Sequence, residues 1–294
     1  NKLERTILKI YIRVFVEIVM TIHNMKHYNL LGGGFQHAYS STWWKKPKHL
    51  VWDYESYDNP ESVYCDNGLI RGLDDKDDGK KKYGWILESR FISAPYVQHI
   101  LDNVDDYLDA YEFILTHHKQ LLDLHEKFKW CPAYGTYIED IKVYDKSKPC
   151  SMIASGKTST SLHQLRVKIL DKLKDSPHVD IYGRDINPID KKEEGLCDYR
   201  FSIAIENDSY ETYFTEKLLD CFCTGTIPLY IGPPDIGDHF DKNGIIDLSG
   251  TFDFSTLTPD LYESMREPML NNLEKARDLD ILDDWIYNTY LKNV

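Results

Sequence analysis

The sequence lacks both an excess of basic residues and a long uncharged apolar run. Its 48 acidic residues outnumber 35 basic ones, which gives a formal net charge of -13. Nucleic acids and anionic membranes are bound through clustered Lys and Arg, so this balance argues against either as the main partner. The apolar stretch at residues 7–22 is interrupted by Lys9, Arg13 and Glu17, whereas a spanning helix needs about 20 nearly uncharged residues. We expect no membrane span, and residues 9–16 are predicted to form a buried strand.

The cysteines are too few and too scattered for a disulfide framework or a zinc knuckle. None lies in a C-x-x-C pair, and the six are Cys65, Cys131, Cys150, Cys197, Cys221 and Cys223. We expect mostly buried, reduced thiols. No signal peptide is evident, which indicates a soluble or cytoplasmic protein. Because the sequence begins with Asn1, an anchor upstream of it stays open.

Two common nucleotide-binding fingerprints are also missing. The run Gly32-Gly33-Gly34 lacks the G-x-G-x-x-G spacing, so it is either a loop that lets backbone approach a ligand or simply a flexible loop. Gly156-Lys157-Thr158 resembles the end of a Walker loop, but Ser151 and Met152 stand where its first glycine would be. Nucleoside-triphosphate hydrolysis is therefore excluded.

A metal site of the Asp-x-Asp kind is not expected either. The charge run at residues 74–82 contains four aspartates, but no apolar strand leads into it. Such a run is typical of a solvated loop.

Strand-like and helix-like segments alternate along the rest of the chain. The predicted strands are 85–88, 113–116, 151–155, 179–183, 201–205, 227–231 and 244–247, and the predicted helices are 96–104, 118–128, 161–173 and 214–223. Alternation of this kind predicts an α/β protein with parallel sheets. The length allows two domains with a cleft between them, and we place the boundary near Lys148-Pro149.

Two strand-to-helix junctions carry chemistry suited to a nucleotide sugar. Ligands of parallel sheets lie at the carboxyl ends of strands, where helix N-termini attract anions. At the first junction, residues 155–161 lead into a helix that carries Arg166, which either grips a diphosphate bidentately or forms a surface salt bridge. At the second, six polar residues follow one strand: Glu206, Asn207, Tyr213, Thr215, Glu216 and Lys217.

The second junction has two compatible interpretations. A carboxylate can hold ribose hydroxyls, and a cation can stabilise the leaving diphosphate. Alternatively, Thr212 or Thr215 caps the helix and Glu216 favours its first turn.

These segments resemble the signature of the α1,3-fucosyltransferase family, glycosyltransferase family 10. The resemblance rests on residues 199–207, 213–217 and 225–232, preceded by 179–184. It extends over residues 151–247 and is specific in order and spacing. The first half is similar only loosely, at 87–90 and 113–116.

The resemblance implies a GT-B fold, with two Rossmann-like domains whose parallel sheets face a central cleft. Residues 1–148 would be the acceptor side and 149–294 the donor side, with the last helix able to pack back on the first domain. It also implies an inverting transfer from a nucleotide sugar to a glycan, with no metal or other cofactor. Arg166, Tyr213, Glu216 and Lys217 would hold the diphosphate and ribose beside Thr215, with Glu206 and Asn207 beside the sugar. Phe214 stands where the family usually has Val.

The resemblance leaves the donor open. GDP-fucose is the family default, a pentose such as xylose from UDP-xylose is the alternative, and a catalytically inactive glycan-binding protein is the competing class. A general base is expected in the first half, and Glu88 is the candidate because it ends the apolar run 85–87. Its alternative role is a pair with Arg90 or Lys81, and Asp74 and Asp75 are the reserve bases.

Overall fold

The computed structural model describes residues 25–36, 38–75, 79–184 and 186–294. The predicted strand at 9–16 and the middle of the charge run, 76–78, lie outside the described residues.

A six-stranded parallel sheet occupies the first half, in the order β2-β1-β3-β4-β5-β6. Its strands are β1 Lys26–Gly32, β2 Leu50–Tyr54, β3 Glu61–Cys65, β4 Lys81–Trp85, β5 Phe113–Thr116 and β6 Phe128–Trp130. The helices between them are α1 Gly68–Asp74, α2 Arg90–Asp102, α3 Val104–Ala110 and α4 Lys119–Leu122. Both faces of the sheet are covered, so strands such as β3 are buried along their whole length.

The prediction of a helix at 118–128 is wrong. Only α4, four residues long, is helical there, and β6 follows it. The backbone of Phe128 pairs with that of Ile114 in β5, so sheet pairing at the edge takes the residues that a longer helix would have used.

A five-stranded parallel sheet occupies the second half, in the order β11-β10-β9-β7-β8. Its strands are β7 Lys148–Ile153, β8 Val179–Tyr182, β9 Tyr199–Ile205, β10 Ile227–Ile231 and β11 Ile246–Asp247. The helices are α5 Ser161–Leu173, α6 Glu216–Cys223, α7 Ile236–His239, α8 Pro259–Ser264, α9 Arg266–Arg277 and α10 Leu282–Ile286. Short 3-10 turns lie at Lys192–Gly195, Lys242–Gly244 and Phe254–Thr256, and a π turn at Tyr287–Leu291 follows α10.

The predicted last strand at 244–247 is shortened to β11, because Asp241 caps the 3-10 turn that takes the preceding residues. The predicted boundary near Lys148 falls at the first residues of β7, so the chain crosses between the sheets through residues 131–147.

The end of the chain packs back against the first sheet. Leu282, Ile286 and Leu291 belong to the same apolar cluster as Tyr28 and Leu30 of β1. The buried carboxylate of Asp283 accepts hydrogen bonds from Ser41 Oγ (2.7 Å) and Trp52 Nε1 (2.6 Å). The last helix therefore ties the two halves together.

All six cysteines are free, and five of them are buried. Among the described residues, no helix combines the length and the apolar character that crossing a bilayer requires.

Candidate active site

Glu88 follows β4 at the carboxyl edge of the first sheet. The turn that carries it is fixed by a neighbouring carboxylate: Asp66 Oδ1 accepts the backbone N–H groups of Leu87 (3.0 Å) and Glu88 (3.3 Å). The Glu88 side chain is half-buried. It forms no ion pair among the described residues, and Arg90 instead pairs with Asp208 of the second half at 3.3 Å.

Charges of the second half act on the Glu88 carboxyl. Burial raises its pKa, and the charges of Lys157 and Lys217 oppose that rise without cancelling it. Both lysines belong to the second half, so the carboxylate faces the cleft. A carboxylate with a raised pKa is a better proton acceptor near neutral pH than an ordinary one.

The reserve bases lie elsewhere. Asp74 ends α1 and Asp75 caps it, where the Asp75 carboxylate accepts hydrogen bonds from Tyr64 (2.7 Å) and Tyr57 (3.2 Å). Because α1 begins at the carboxyl edge of β3, its far end lies at the opposite edge of the sheet from Glu88.

The predicted glycine loop has a structural role at this edge. Gly32 has a φ of +96°, and a Cβ there would lie 2.6 Å from Cys65 O and from Gly68 Cα. The next residue, Gly33, donates its N–H to Asn67 Oδ1 at 3.0 Å. The glycines therefore let the end of β1 pack against the start of α1.

On the other side of the cleft, Glu206 forms the buried centre of the second junction. It is 0% exposed. Its carboxylate accepts Thr215 N–H (2.9 Å), Thr215 Oγ (2.7 Å) and Tyr230 O–H (3.0 Å). Through these bonds Glu206 fixes the start of α6. Its carboxylate is fully buried, so it has no exposed surface that could contact a sugar.

Lys217 and Glu216 form an ion pair in the first turn of α6, with Nζ 3.0 Å from Glu216 Oε1 and 3.7 Å from Glu206 Oε2. Burial alone would raise the pKa of Glu216, but the charges of Lys217 and Lys192 outweigh it and lower the pKa to about 2. Burial likewise lowers the pKa of Lys217, and the two glutamates more than restore it. Both groups are therefore charged at neutral pH. Thr215 caps the helix, as one of the two sequence interpretations requires.

Arg166 lies inside α5 and is 5% exposed. Its Nη2 donates to the carbonyl oxygens of Ile205 (2.6 Å) and Glu206 (3.1 Å) and to Asn207 Oδ1 (3.2 Å). It is therefore not a surface salt bridge. No other hydrogen bond of this guanidinium occurs among the described residues, which leaves Nε and Nη1 for a ligand. His163 Nε2 also bonds Asn207 Oδ1, at 2.9 Å.

Tyr213 is 1% exposed and belongs to an aromatic cluster that joins the two halves. Its ring stacks on Tyr210 with centroids 4.7 Å apart and contacts His117 of the first half at 5.0 Å. The Tyr210 hydroxyl accepts Arg90 N–H at 3.1 Å and lies 3.0 Å from His117 Nδ1. His117 Nε2 lies 3.2 Å from the Leu87 carbonyl oxygen.

Sequence reasoning missed this connection. Burial and the neighbouring His118 lower the pKa of His117 to about 3, so the ring is neutral. A neutral ring that donates from Nε2 to Leu87 O accepts from Tyr210 at Nδ1. The hydrogen bonds between Leu87 and His117 and between His117 and Tyr210 thus link the turn that carries Glu88 to residues 206–217 of the second half.

Within the described residues, no group of three or more His, Cys, Asp or Glu is arranged to hold a metal ion.

Comparison with known proteins finds a family match in the second half of the chain. Residues 143–257 match the family described as Glycosyltransferase family 10 (fucosyltransferase) C-term. This segment is therefore similar to the fucosyltransferase C-terminal part of glycosyltransferase family 10. An alpha-(1,3)-fucosyltransferase of Helicobacter pylori is 32% identical over 60 residues, which are 20% of this chain and 13% of the relative. A 3-galactosyl-N-acetylglucosaminide 4-alpha-L-fucosyltransferase of Pan troglodytes is 25% identical over 142 residues, 47% of this chain and 37% of the relative.

The resemblance read from the sequence is thereby confirmed, although the matched segments span well under half of these curated relatives. A crystal structure of an alpha1,3-fucosyltransferase with GDP superposes with a TM-score of 0.50 over 92% of this chain and 91% of the other, at 13% identity. This likeness bears on the fold alone. The chain has the predicted GT-B fold.

Proposed function

We propose that this chain is an inverting glycosyltransferase that moves a sugar from a nucleoside-diphosphate donor to a hydroxyl of a glycan. One observation carries the proposal: the Arg90–Asp208 ion pair (3.3 Å) and the His117–Tyr210 hydrogen bond (3.0 Å) bring the turn that carries Glu88 against the segment that leads into Lys217. A proton acceptor on one side and a cation on the other are the two groups that a displacement at a sugar phosphate requires.

In the proposed reaction Glu88 takes the proton of the acceptor hydroxyl while the oxygen attacks the anomeric carbon. The bond from that carbon to the phosphate oxygen breaks, and the nucleoside diphosphate leaves with the electron pair. A single displacement from the opposite face inverts the configuration. Lys217, the two unengaged nitrogens of Arg166 and the N–H groups that begin α6 would stabilise the charge that grows on the diphosphate.

Metal independence is part of the proposal. The leaving group would gain its charge compensation from Lys217, Arg166 and the exposed Lys157, so that no divalent cation is needed. Glu216 and Lys217 are both charged at neutral pH, which suits ribose hydroxyls and phosphate respectively.

GDP-fucose is the proposed donor. The support is the naming of the matched relatives as fucosyltransferases and the GDP in the structural neighbour. Incubation with a panel of GDP- and UDP-sugars, including GDP-fucose and UDP-xylose, with release of nucleotide and sugar followed by NMR, tests the proposal. We expect slow hydrolysis of GDP-fucose.

Each outcome has a distinct meaning. Preferential hydrolysis of UDP-xylose would move the proposal to a pentosyltransferase. Silence with every donor, together with retained glycan binding, would refute an enzyme and favour a glycan-binding protein.

A further inference from the structure

Asp66 adopts a backbone conformation that few non-glycine residues tolerate. It directly follows β3, the strand that pairs with β4 beneath the Glu88 turn, in the register Cys65↔Trp85. Its φ is +49°, in the left-handed region. Non-glycine residues in that region are uncommon, and when they persist the surrounding contacts must hold them there.

Three donors converge on a single oxygen of this residue. Asp66 Oδ1 accepts the N–H groups of Leu87 (3.0 Å) and Glu88 (3.3 Å) and the hydroxyl of Tyr96 (3.3 Å). The Asp66 N–H in turn donates to Trp85 O at 2.9 Å. The side chain and the backbone of Asp66 therefore fix the chain on both sides of Ile86, through Leu87 and Trp85.

The other oxygen is buried and has no hydrogen-bond partner in the described chain. Burial raises the pKa of Asp66 to about 6, the two amides lower it, and the charge of Glu88 raises it. The remaining titratable groups near it are Tyr96, Cys65 and Tyr134. A carboxylate buried in this way lowers the stability of the fold, which favours a role beyond packing.

We propose that Asp66 is a positioning residue for the transfer reaction: by holding the Leu87 and Glu88 amides it aims the Glu88 carboxylate at the acceptor hydroxyl. Asp66 is 4% exposed, and its second oxygen has no surface, so it cannot itself reach an acceptor. This inference rests on the proposed function, with Glu88 as the base.

Two substitutions separate the effect of the acceptor oxygen of Asp66 from the effect of its strained backbone conformation. Asp66→Gly removes the oxygen but accepts a positive φ, whereas Asp66→Asn keeps an oxygen acceptor and also tolerates this conformation. We expect Asp66→Gly to lower kcat for transfer by about 10²-fold, the cost of a misplacement on the order of 1 Å. The dissociation constant for GDP, measured by calorimetry, stays unchanged. Asp66→Asn restores most of the lost kcat.

A matched control removes the third bond alone. Tyr96→Phe takes one donor from Asp66 Oδ1 and leaves both amides in place, so its kcat stays close to that of the wild type. Loss of kcat in Tyr96→Phe equal to that in Asp66→Gly, or an Asp66→Gly variant with wild-type kcat, would overturn the positioning role.

A measurement without turnover keeps the inference testable if a variant does not fold. Proton–nitrogen NMR of the wild type should show the amide signals of Leu87 and Glu88 shifting together as the Asp66 carboxyl titrates, because its Oδ1 accepts both N–H groups. Amide signals that do not respond to this titration overturn the inference. A wild-type protein that binds no nucleoside diphosphate and hydrolyses no donor refutes the proposed function instead, so the two failures are distinguishable.

Discussion

Replacement of Lys217 by Met is expected to lower the stability of the fold and to weaken the proposed nucleotide site. Lys217 Nζ lies 3.0 Å from Glu216 Oε1 and 3.7 Å from Glu206 Oε2, and it is the only Lys or Arg paired with either carboxylate in the described chain. Removing one partner of a buried pair leaves an uncompensated charge, which typically costs about 3–5 kcal/mol.

The pKa of Glu216 gives a second route to the magnitude. It is lowered from 4.5 to about 2 in the folded protein. A drop of this size corresponds to about 3 kcal/mol, since one pKa unit is about 1.4 kcal/mol. A lowered carboxyl pKa stabilises the fold above the unfolded pKa, and this stability is lost as the pH falls through the folded pKa. The deficit of Lys217→Met should therefore be full at pH 7 and shrink between about pH 4.5 and pH 2.

Urea denaturation at several pH values measures this deficit as the free energy of unfolding, and calorimetry with GDP measures the nucleotide site in the same samples. A charged hydrogen bond to phosphate contributes about 1.5–3 kcal/mol, so we expect GDP binding to weaken by roughly 10- to 150-fold. Lys191→Met, which removes an exposed pair with Glu139, should leave both stability and GDP affinity close to those of the wild type. A Lys217→Met protein as stable as the wild type at pH 7, or a deficit independent of pH, would refute the reasoning.

The remaining predictions concern the base, the metal and the contact between the halves. Glu88→Gln keeps the side-chain shape and should leave GDP affinity unchanged while transfer falls by about 10²–10⁴-fold; transfer at the wild-type rate would return the search for a base to the other carboxylates of the first half. Turnover should survive EDTA, and a loss restored by manganese would contradict metal independence. Tyr210→Phe retains the stacking but removes the bonds to His117 and Arg90, so it should lower the unfolding free energy by about 1–3 kcal/mol, as thermal denaturation can measure. If Tyr210→Phe is as stable as the wild type, the Tyr210 hydroxyl does not contribute to the free energy of unfolding.

The second half could be predicted closely because its local signals agree with its tertiary structure. The helix Ser161–Leu173 and the strand Ile227–Ile231 have their predicted bounds. Thr160 caps the helix by accepting the N–H of His163 at 3.1 Å, and the strand is a short apolar run. Here propensity, capping and burial all indicate the same elements.

In the first half the strands Lys26–Gly32, Leu50–Tyr54 and Glu61–Cys65 were not predicted, and buried polar residues hide the pattern of the third. Glu61 pairs with Lys26 at 2.9 Å, and Ser62 accepts a bond from Asn29 at 2.9 Å. These partners lie about 30 residues away in sequence, so no local periodicity reveals that the polar groups are satisfied inside the sheet. Tertiary pairing decides such a strand.

Within the site, the sequence predicted which residues occur together but not which of their side chains are exposed. The predicted strand 85–88 is wrong: β4 ends at Trp85, so Glu88 lies three residues beyond it, whereas Lys217 lies in the first turn of α6 within the predicted helix. Glu206 and Tyr213 come from the same motif yet are buried, at 0% and 1% exposure, because they hold the start of α6 and the contact between the halves. A motif specifies which residues recur together and does not distinguish a side chain that touches a ligand from one that supports it.

Backbone strain supplies a criterion that the motif does not. Two of the described non-glycine residues with positive φ, Asp66 at +49° and Thr212 at +67°, lie in the two segments that face each other across the cleft. Asp66 holds the amides of the base turn, and the Thr212 hydroxyl donates to the carbonyl oxygen of His117 while its N–H donates to Asp235 at 2.9 Å. Each strained residue is thus fixed by contacts that also set the geometry of one side of the site. Because such conformations cost about 1–3 kcal/mol each, contacts strong enough to maintain them also resist movement of the groups they carry.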